Sequence, residues 1–243
     1  MEHVAGRELV VAGAPFSAVI FDFNGTLSDD ESLLCELFRD IFLRRLGYLM
    51  TEERYFALLS GLSDAEIVET VLSWTGREGD SRLGGELHEE KVSLYRSEVA
   101  LRPRISKEAV AVVQRIAQSV PVAVVTGAVH AEVDIALEAS GILDLFQAVV
   151  AGDDVVSGKP NPEGFLKASE LLAPAMPSRT LVFEDSRVGI QAAKAAGMTC
   201  VKVGSTQDQS DEKEGFDCIV DGLFGSSLSW IYPLLASEWD VIV

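Results

Sequence analysis

Positive charge is scarce in this chain. Lysine and arginine number 20 against 38 aspartates and glutamates, a formal net charge of −18. On average such a surface repels polyanions, which disfavours nucleic acid and anionic membrane as partners while leaving room for a local cationic pocket. Cysteine is scarce too. Cys35, Cys200 and Cys218 are odd in number, far apart and set among apolar residues, a pattern of core thiols in a reducing compartment rather than a disulfide framework or metal cluster. No run of about 18 apolar residues is present to span a bilayer. The opening MEHVAGRELVVAGAP also lacks the basic start and sustained apolar stretch of a signal peptide. A soluble, cytoplasmic protein is expected. There is no internal repeat, and a chain of 243 residues with 48% hydrophobic content can build a sizeable core.

Three short apolar runs carry the fold signal. Phe16 to Phe23 (FSAVIFDF) is rich in β-branched and aromatic residues and is closed by the turn NGT, so it reads as a buried strand ending at Asp22. PVAVVTG places Thr126 at the end of a second strand, and RTLVFEDS places Glu184 and Asp185 at the end of a third. Open parallel α/β sheets bind ligands outside the carboxyl ends of their strands. With Lys159 from the turn-rich SGKPNPEGF, one sheet edge is expected to gather three carboxylates, a hydroxyl and an ammonium. That set suits a phosphate and a divalent cation.

Between residues 29 and 100 the period changes to helices. Leu33, Leu34, Leu37, Phe38, Ile41 and Phe42 recur at helical spacing after a cap at Asp29 or Asp30 and stop at Gly47. A second helix is expected over Glu52 to Ser60, a third from the capping box Ser63 to Glu66 until Gly76, and a fourth over Glu86 to Ala100, with GREGDSRLGG as a loop. The fold expected is α/β, with a Rossmann-like parallel sheet core (residues 1–28 and 101–243) and an inserted α-helical cap (29–100). Its hinges lie near Ser28 and Pro103. After Gly204 a polar loop, a short strand at Cys218 to Val220 and an amphipathic C-terminal helix complete the reading.

The ordered motifs DxxGT, the strand-end threonine, the GKP lysine and FEDSxxGIxAAxxAGM resemble those of the haloacid dehalogenase superfamily, in the phosphatase and β-phosphoglucomutase-like branch with a helical cap. The likeness runs from about Phe16 to about Val203. It implies a phosphohydrolase in which Asp22 attacks phosphorus and forms an aspartyl-phosphate, splitting one hard hydrolysis into two easier transfers. It implies a Mg²⁺ site of Asp22, the Asn24 carbonyl, Glu184 and Asp185, all hard oxygen ligands. Phosphate is expected to meet Gly25, Thr126, Gly127 and Lys159, with Thr126 and the following amides donating hydrogen bonds and Lys159 neutralising charge. The substrate class implied is a small phosphorylated metabolite.

One departure stands out. Where the family carries an aspartate that protonates the leaving oxygen and then activates water, this chain has Asn24, which has no titratable proton; general acid–base catalysis is worth about 10²–10⁴-fold. A slow phosphatase, an asparagine introduced to trap a complex, slow deamidation at Asn24-Gly25 and a phosphometabolite-binding module without turnover all fit. A mutase reading is weakened because the family's mutases carry a histidine where Leu33 and Leu34 stand. Phosphonate-cleaving relatives use a cap lysine, but Lys91, the cap's lysine, does not match that position and reads as solvated on an amphipathic helix. His88 is the cap's histidine, and His3 and His130 carry no clear signal.

Overall fold

The computed structural model describes residues 16–173, 175–204, 215–220 and 222–223. Six strands, β1 (Ala18–Phe21), β2 (Val122–Val125), β3 (Ala148–Val150), β4 (Thr180–Glu184), β5 (Thr199–Val203) and β6 (Cys218–Val220), form one sheet in the order β3-β2-β1-β4-β5-β6. Every pairing is parallel. β1 and β2 are buried at every position, as expected where helices cover both faces of a parallel sheet. Side chains alternate along β1, so Val19 and Phe21 join one apolar cluster and Ala18 and Ile20 the other.

Four helices are inserted between β1 and the rest of the sheet: α1 (Glu31–Leu46), α2 (Glu52–Leu58), α3 (Asp64–Trp74) and α4 (Ser81–Leu101). α5 (Lys107–Ala117), α6 (His130–Ala139), α7 (Glu163–Leu171) and α8 (Arg187–Ala195) follow, alternating with the later strands. The local signals are mostly realised. Ser63 and Glu66 form the capping box of α3, and α1 stops at Gly47 in the left-handed conformation that glycine tolerates, with φ 67. Two expectations change. α4 begins at Ser81, because the Asp80 carboxylate accepts the Leu83 N–H at 3.0 Å and caps five residues of the expected loop GREGDSRLGG into helix. Asp30 precedes α1 but makes no side-chain cap bond; its carboxylate is used elsewhere.

The strands that leave and re-enter the insertion lie side by side. Asp29 N–H donates to the Arg104 carbonyl at 3.0 Å, and Ser28 bridges Ile105. The expected N-terminal features, the polar stretch 205–214 and the C-terminal helix lie outside the described residues. Cys35 and Cys200 are buried and Cys218 is partly buried, all as free thiols.

Candidate active site

Because β2, β1 and β4 are neighbours, their carboxyl ends bring Thr126, Asp22, Glu184 and Asp185 to one edge. Lys159 arrives from the segment before α7, its peptide bond to Pro160 cis, and its ammonium lies 2.5 Å from Asp22 Oδ1 and 2.6 Å from Glu184 Oε1. Asp22, Asn24, Thr126, Gly127, Lys159 and Asp185 line one cavity of about 860 Å³ between the sheet edge and the helical insertion. Gly25 and Glu184 stand behind its wall. Thr126 Oγ1 accepts the Ala128 N–H at 3.0 Å, which leaves the hydroxyl hydrogen to donate into the cavity. Gly127 packs against the insertion, where a Cβ would stand 3.4 Å from Ser63 Cα, an ordinary contact distance.

Burial pushes the Asp22 carboxyl up to about 7, with Lys159 pulling it down and Glu184 adding to the rise. Burial opposes the charge on Lys159, but Asp22 and Glu184 outweigh it and raise its pKa. Asp185 is raised well above the carboxylate range, by burial first and then by Glu184, Asp22 and Glu31. One ammonium therefore serves a cluster with excess negative charge.

Asp22, Glu184 and Asp185 each offer an oxygen within 4.8 Å of the others. The three are not equivalent. Glu184 gives Oε1 to Lys159 and Oε2 to the Ser186 N–H and hydroxyl, at 2.6 and 2.9 Å, so it holds Lys159 and the start of α8. Asp185 accepts from Thr26 Oγ1 at 3.2 Å. Glycine makes room for both acids: a Cβ on Gly25, which has φ +80, would fall 2.1 Å from Asp185 Oδ2, and one on Gly189 would fall 1.7 Å from Glu184 Oε1. The Gly25 N–H itself donates to the Ser28 carbonyl at 2.8 Å. Two buried carboxylates and the partly buried Asp185, repelling one another across a short distance, fit a hard divalent cation such as Mg²⁺.

Asn24 is held by Asp30. Asn24 Nδ2 donates to Asp30 Oδ2 at 3.0 Å, and the same oxygen accepts from Ser28 Oγ at 2.7 Å and Tyr95 OH at 2.5 Å. Asp30 is fully buried, which raises its pKa against those three donors. An amide at position 24 thus donates to one oxygen of a carboxylate whose other oxygen is buried without a partner, where an aspartate would repel it. Asn24→Asp is expected to destabilise the protein by about 1–3 kcal/mol in urea unfolding at neutral pH by replacing a donor with a like charge. The double variant Asn24→Asp/Asp30→Asn should regain most of it; an unaffected single variant would show that the pairing carries no weight.

Lys91 corrects the sequence expectation most sharply. It is 1% exposed rather than solvated, with Nζ 2.7 Å from Asp64 Oδ2 and 2.9 Å from both Glu132 carboxylate oxygens. It joins α3 and α4 of the insertion to α6 of the core. Burial works against its charge, yet the two acids raise its pKa. One ammonium cannot serve both equally. Glu132 is pushed up to about 7 by burial, while burial of Asp64 is outweighed by Lys91 and His88, which lower it. His88 Nε2 lies 3.6 Å from Asp64 Oδ2. His130 also finds partners, Nε2 lying 2.7 Å from Asp154. None of the acids in these contacts belongs to a motif in the sequence.

A family model described as haloacid dehalogenase-like hydrolase matches residues 19–203. The chain is 31% identical over 195 residues to validoxylamine A 7'-phosphate phosphatase of Streptomyces hygroscopicus subsp. limoneus, covering 79% of this chain and 88% of that one. It is 32% identical over 185 residues to a phosphorylated carbohydrates phosphatase of Thermotoga maritima, covering 74% and 82%. Among solved structures, a CbbY variant from Rhodobacter sphaeroides in complex with xylulose-1,5-bisphosphate is similar with a TM-score of 0.74 and 25% identity, over 86% of this chain and 95% of that chain.

Proposed function

Because the chain belongs to the haloacid dehalogenase-like hydrolase family, we propose that it is a Mg²⁺-dependent phosphatase of small phosphorylated metabolites, phosphorylated sugars foremost, working through Asp22. The observation that carries this reading is the buried Asp22 carboxylate, gripped by Lys159 at 2.5 Å, at the floor of a cavity that Thr126 and Asp185 also line. Relatives named validoxylamine A 7'-phosphate phosphatase and phosphorylated carbohydrates phosphatase support the substrate class.

The residues divide the work. Lys159 and the Thr126 hydroxyl hold phosphoryl oxygens and offset the charge that spreads over them during transfer. Asp22 attacks phosphorus, the bond to the alcohol oxygen breaks, and the phosphoryl group rests on Asp22 until water displaces it. Asp22, Asp185 and the Asn24 carbonyl, with Glu184 behind them, would hold Mg²⁺, which would supply positive charge beside the transferring group. Leu34 lines the cavity close to where the family's mutases carry a histidine, which favours hydrolysis over a mutase.

Two measurements test the proposal. Phosphate release from a panel of sugar phosphates should require Mg²⁺ and stop on chelation; release that persists in chelator would sink the metal-dependent reading. Mg²⁺ should also raise the melting temperature. A carboxylic acid whose folded pKa is raised holds its proton to higher pH in the folded than in the unfolded chain, and metal must displace that proton. The Mg²⁺-induced shift should therefore grow from pH 5.5 to pH 8; a shift independent of pH would remove Asp185 from the site. Asn24 favours a second reading, binding without turnover, which predicts saturable affinity for a sugar phosphate with no release at high enzyme concentration.

A further inference from the structure

The site lacks an acid at residue 24, and the carboxylate that touches Asn24 cannot replace it. Asp30 is fully buried and already accepts from Asn24, Ser28 and Tyr95. The next residue is placed differently. Glu31 opens α1 and lines the same cavity as Asp22, Asn24 and Lys159. In an in-line transfer from oxygen to Asp22 the leaving oxygen lies opposite the nucleophile, on the side of the cavity roofed by the helical insertion.

Three acids of the insertion line that roof: Glu31, Asp64 and Glu66. Asp64 is tied to Lys91 at 2.7 Å. Glu66 is tied to the Ser63 N–H and hydroxyl as the N3 member of the α3 capping box, at 2.9 and 2.7 Å. Glu31 alone among them is held only by hydroxyls. Ser60 Oγ donates to Glu31 Oε2 at 3.0 Å, the Tyr55 hydroxyl also faces it, and it has no salt bridge among the described residues. A carboxyl oriented by neutral donors keeps its proton available for exchange, whereas one locked to an ammonium does not.

Resting on the phosphatase reading above, we propose that Glu31 is the proton-transfer residue of this site, acting from the insertion in place of the acid that residue 24 lacks. In the first step Asp22 bonds to phosphorus, the bond from phosphorus to the substrate oxygen breaks, and that oxygen takes the Glu31 proton and leaves as an alcohol. In the second step a water oxygen attacks phosphorus and gives a proton to the Glu31 carboxylate. The bond to Asp22 then breaks and inorganic phosphate departs, with Glu31 reprotonated.

The surroundings suit the role. Burial raises the Glu31 pKa, the Ser60 hydrogen bond opposes it, Asp30 adds to the rise, and Tyr55 and Lys91 work to lower it; from the core side Asp185 also feels its charge. A catalytic acid works best with a pKa near the operating pH, above that of an ordinary glutamate.

The test is Glu31→Gln with two probes, 4-nitrophenyl phosphate, whose leaving group departs as the anion, and phenyl phosphate, whose leaving group needs a proton. The expected result is a loss of about 10²-fold or more in kcat/KM for phenyl phosphate, little change for 4-nitrophenyl phosphate, and a lower kcat on both as the phosphorylated enzyme accumulates. A purely structural role would lower both kcat/KM values alike. Equal losses, or none, overturn the inference while leaving the phosphatase reading intact. A wild-type protein without Asp22-dependent turnover overturns both. If E31Q does not fold, E31D must show the same split between the two probes at smaller size, and equal losses there overturn the inference as well.

Discussion

Asp22→Asn abolishes phosphate release, with kcat falling by about 10⁴-fold or more, the scale on which loss of a covalent nucleophile is felt. An amide cannot form the acyl-phosphate bond, and it also removes one of the carboxylates that offer oxygens within 4.8 Å of one another for metal. The fold should survive, because Lys159 keeps Glu184 as a partner at 2.6 Å and one of several mutually repelling charges is gone. The check is steady-state release of phosphate beside mass spectrometry of the quenched protein. Wild-type enzyme should carry one phosphoryl group on the peptide containing Asp22, and the variant none. A variant that still turns over would mean that water attacks phosphorus directly, and Asp22 would then serve only as a metal ligand.

The second large effect is on stability. Lys91→Met should cost about 3–5 kcal/mol, because it leaves Asp64 and Glu132 buried without their shared cation. The side chains have 9% and 1% exposure, so water cannot take the place of Lys91. Urea unfolding at pH 7 measures the loss. The sign of the pH dependence follows from Glu132. Even beside Lys91 its folded pKa is raised to about 7, above the unfolded value. Without the ammonium it moves higher still, so the folded variant holds a proton that the unfolded chain releases. The variant should therefore recover stability as pH falls from 8 toward 5. Removing the charges together, as Lys91→Met/Asp64→Asn/Glu132→Gln, should restore much of the loss. A single variant within about 1 kcal/mol of wild type would show that the cluster is not closed to water.

These two positions differ in how readable they are. Asp22, Thr126, Glu184 and Asp185 each end an apolar run, and in a parallel sheet the end of such a run is a place in space as well as in sequence. Their meeting at one edge needed only that β2, β1 and β4 be neighbours. Lys159 was legible from the turn residues around it. Lys91 was legible only as a position: it falls on the line of Leu87, Tyr95 and Val99 that α4 buries, but nothing on the helix says what would neutralise it there. Its partners lie 27 and 41 residues away, and no local period connects them. Glu31 sat in the acidic run Asp29-Asp30-Glu31 beside the first motif, but the run looks like a helix start. Burial by the insertion distinguishes the three: Asp29 remains outside, Asp30 is sealed in and Glu31 faces the cavity.

Asn24 belongs to both levels. From the sequence it is a missing acid; in the fold it is the donor that a buried Asp30 needs. By itself the sequence determined the strands that end in the site, the capping box of α3 and the order of chemistry-bearing residues, because periodicity and capping act over a few residues and are written locally. The tertiary structure alone decided which carboxylates are paired, which are buried and which face the cavity. Desolvation and Coulomb forces depend on distances between segments far apart in the chain, and those distances exist only once the insertion has closed over the sheet.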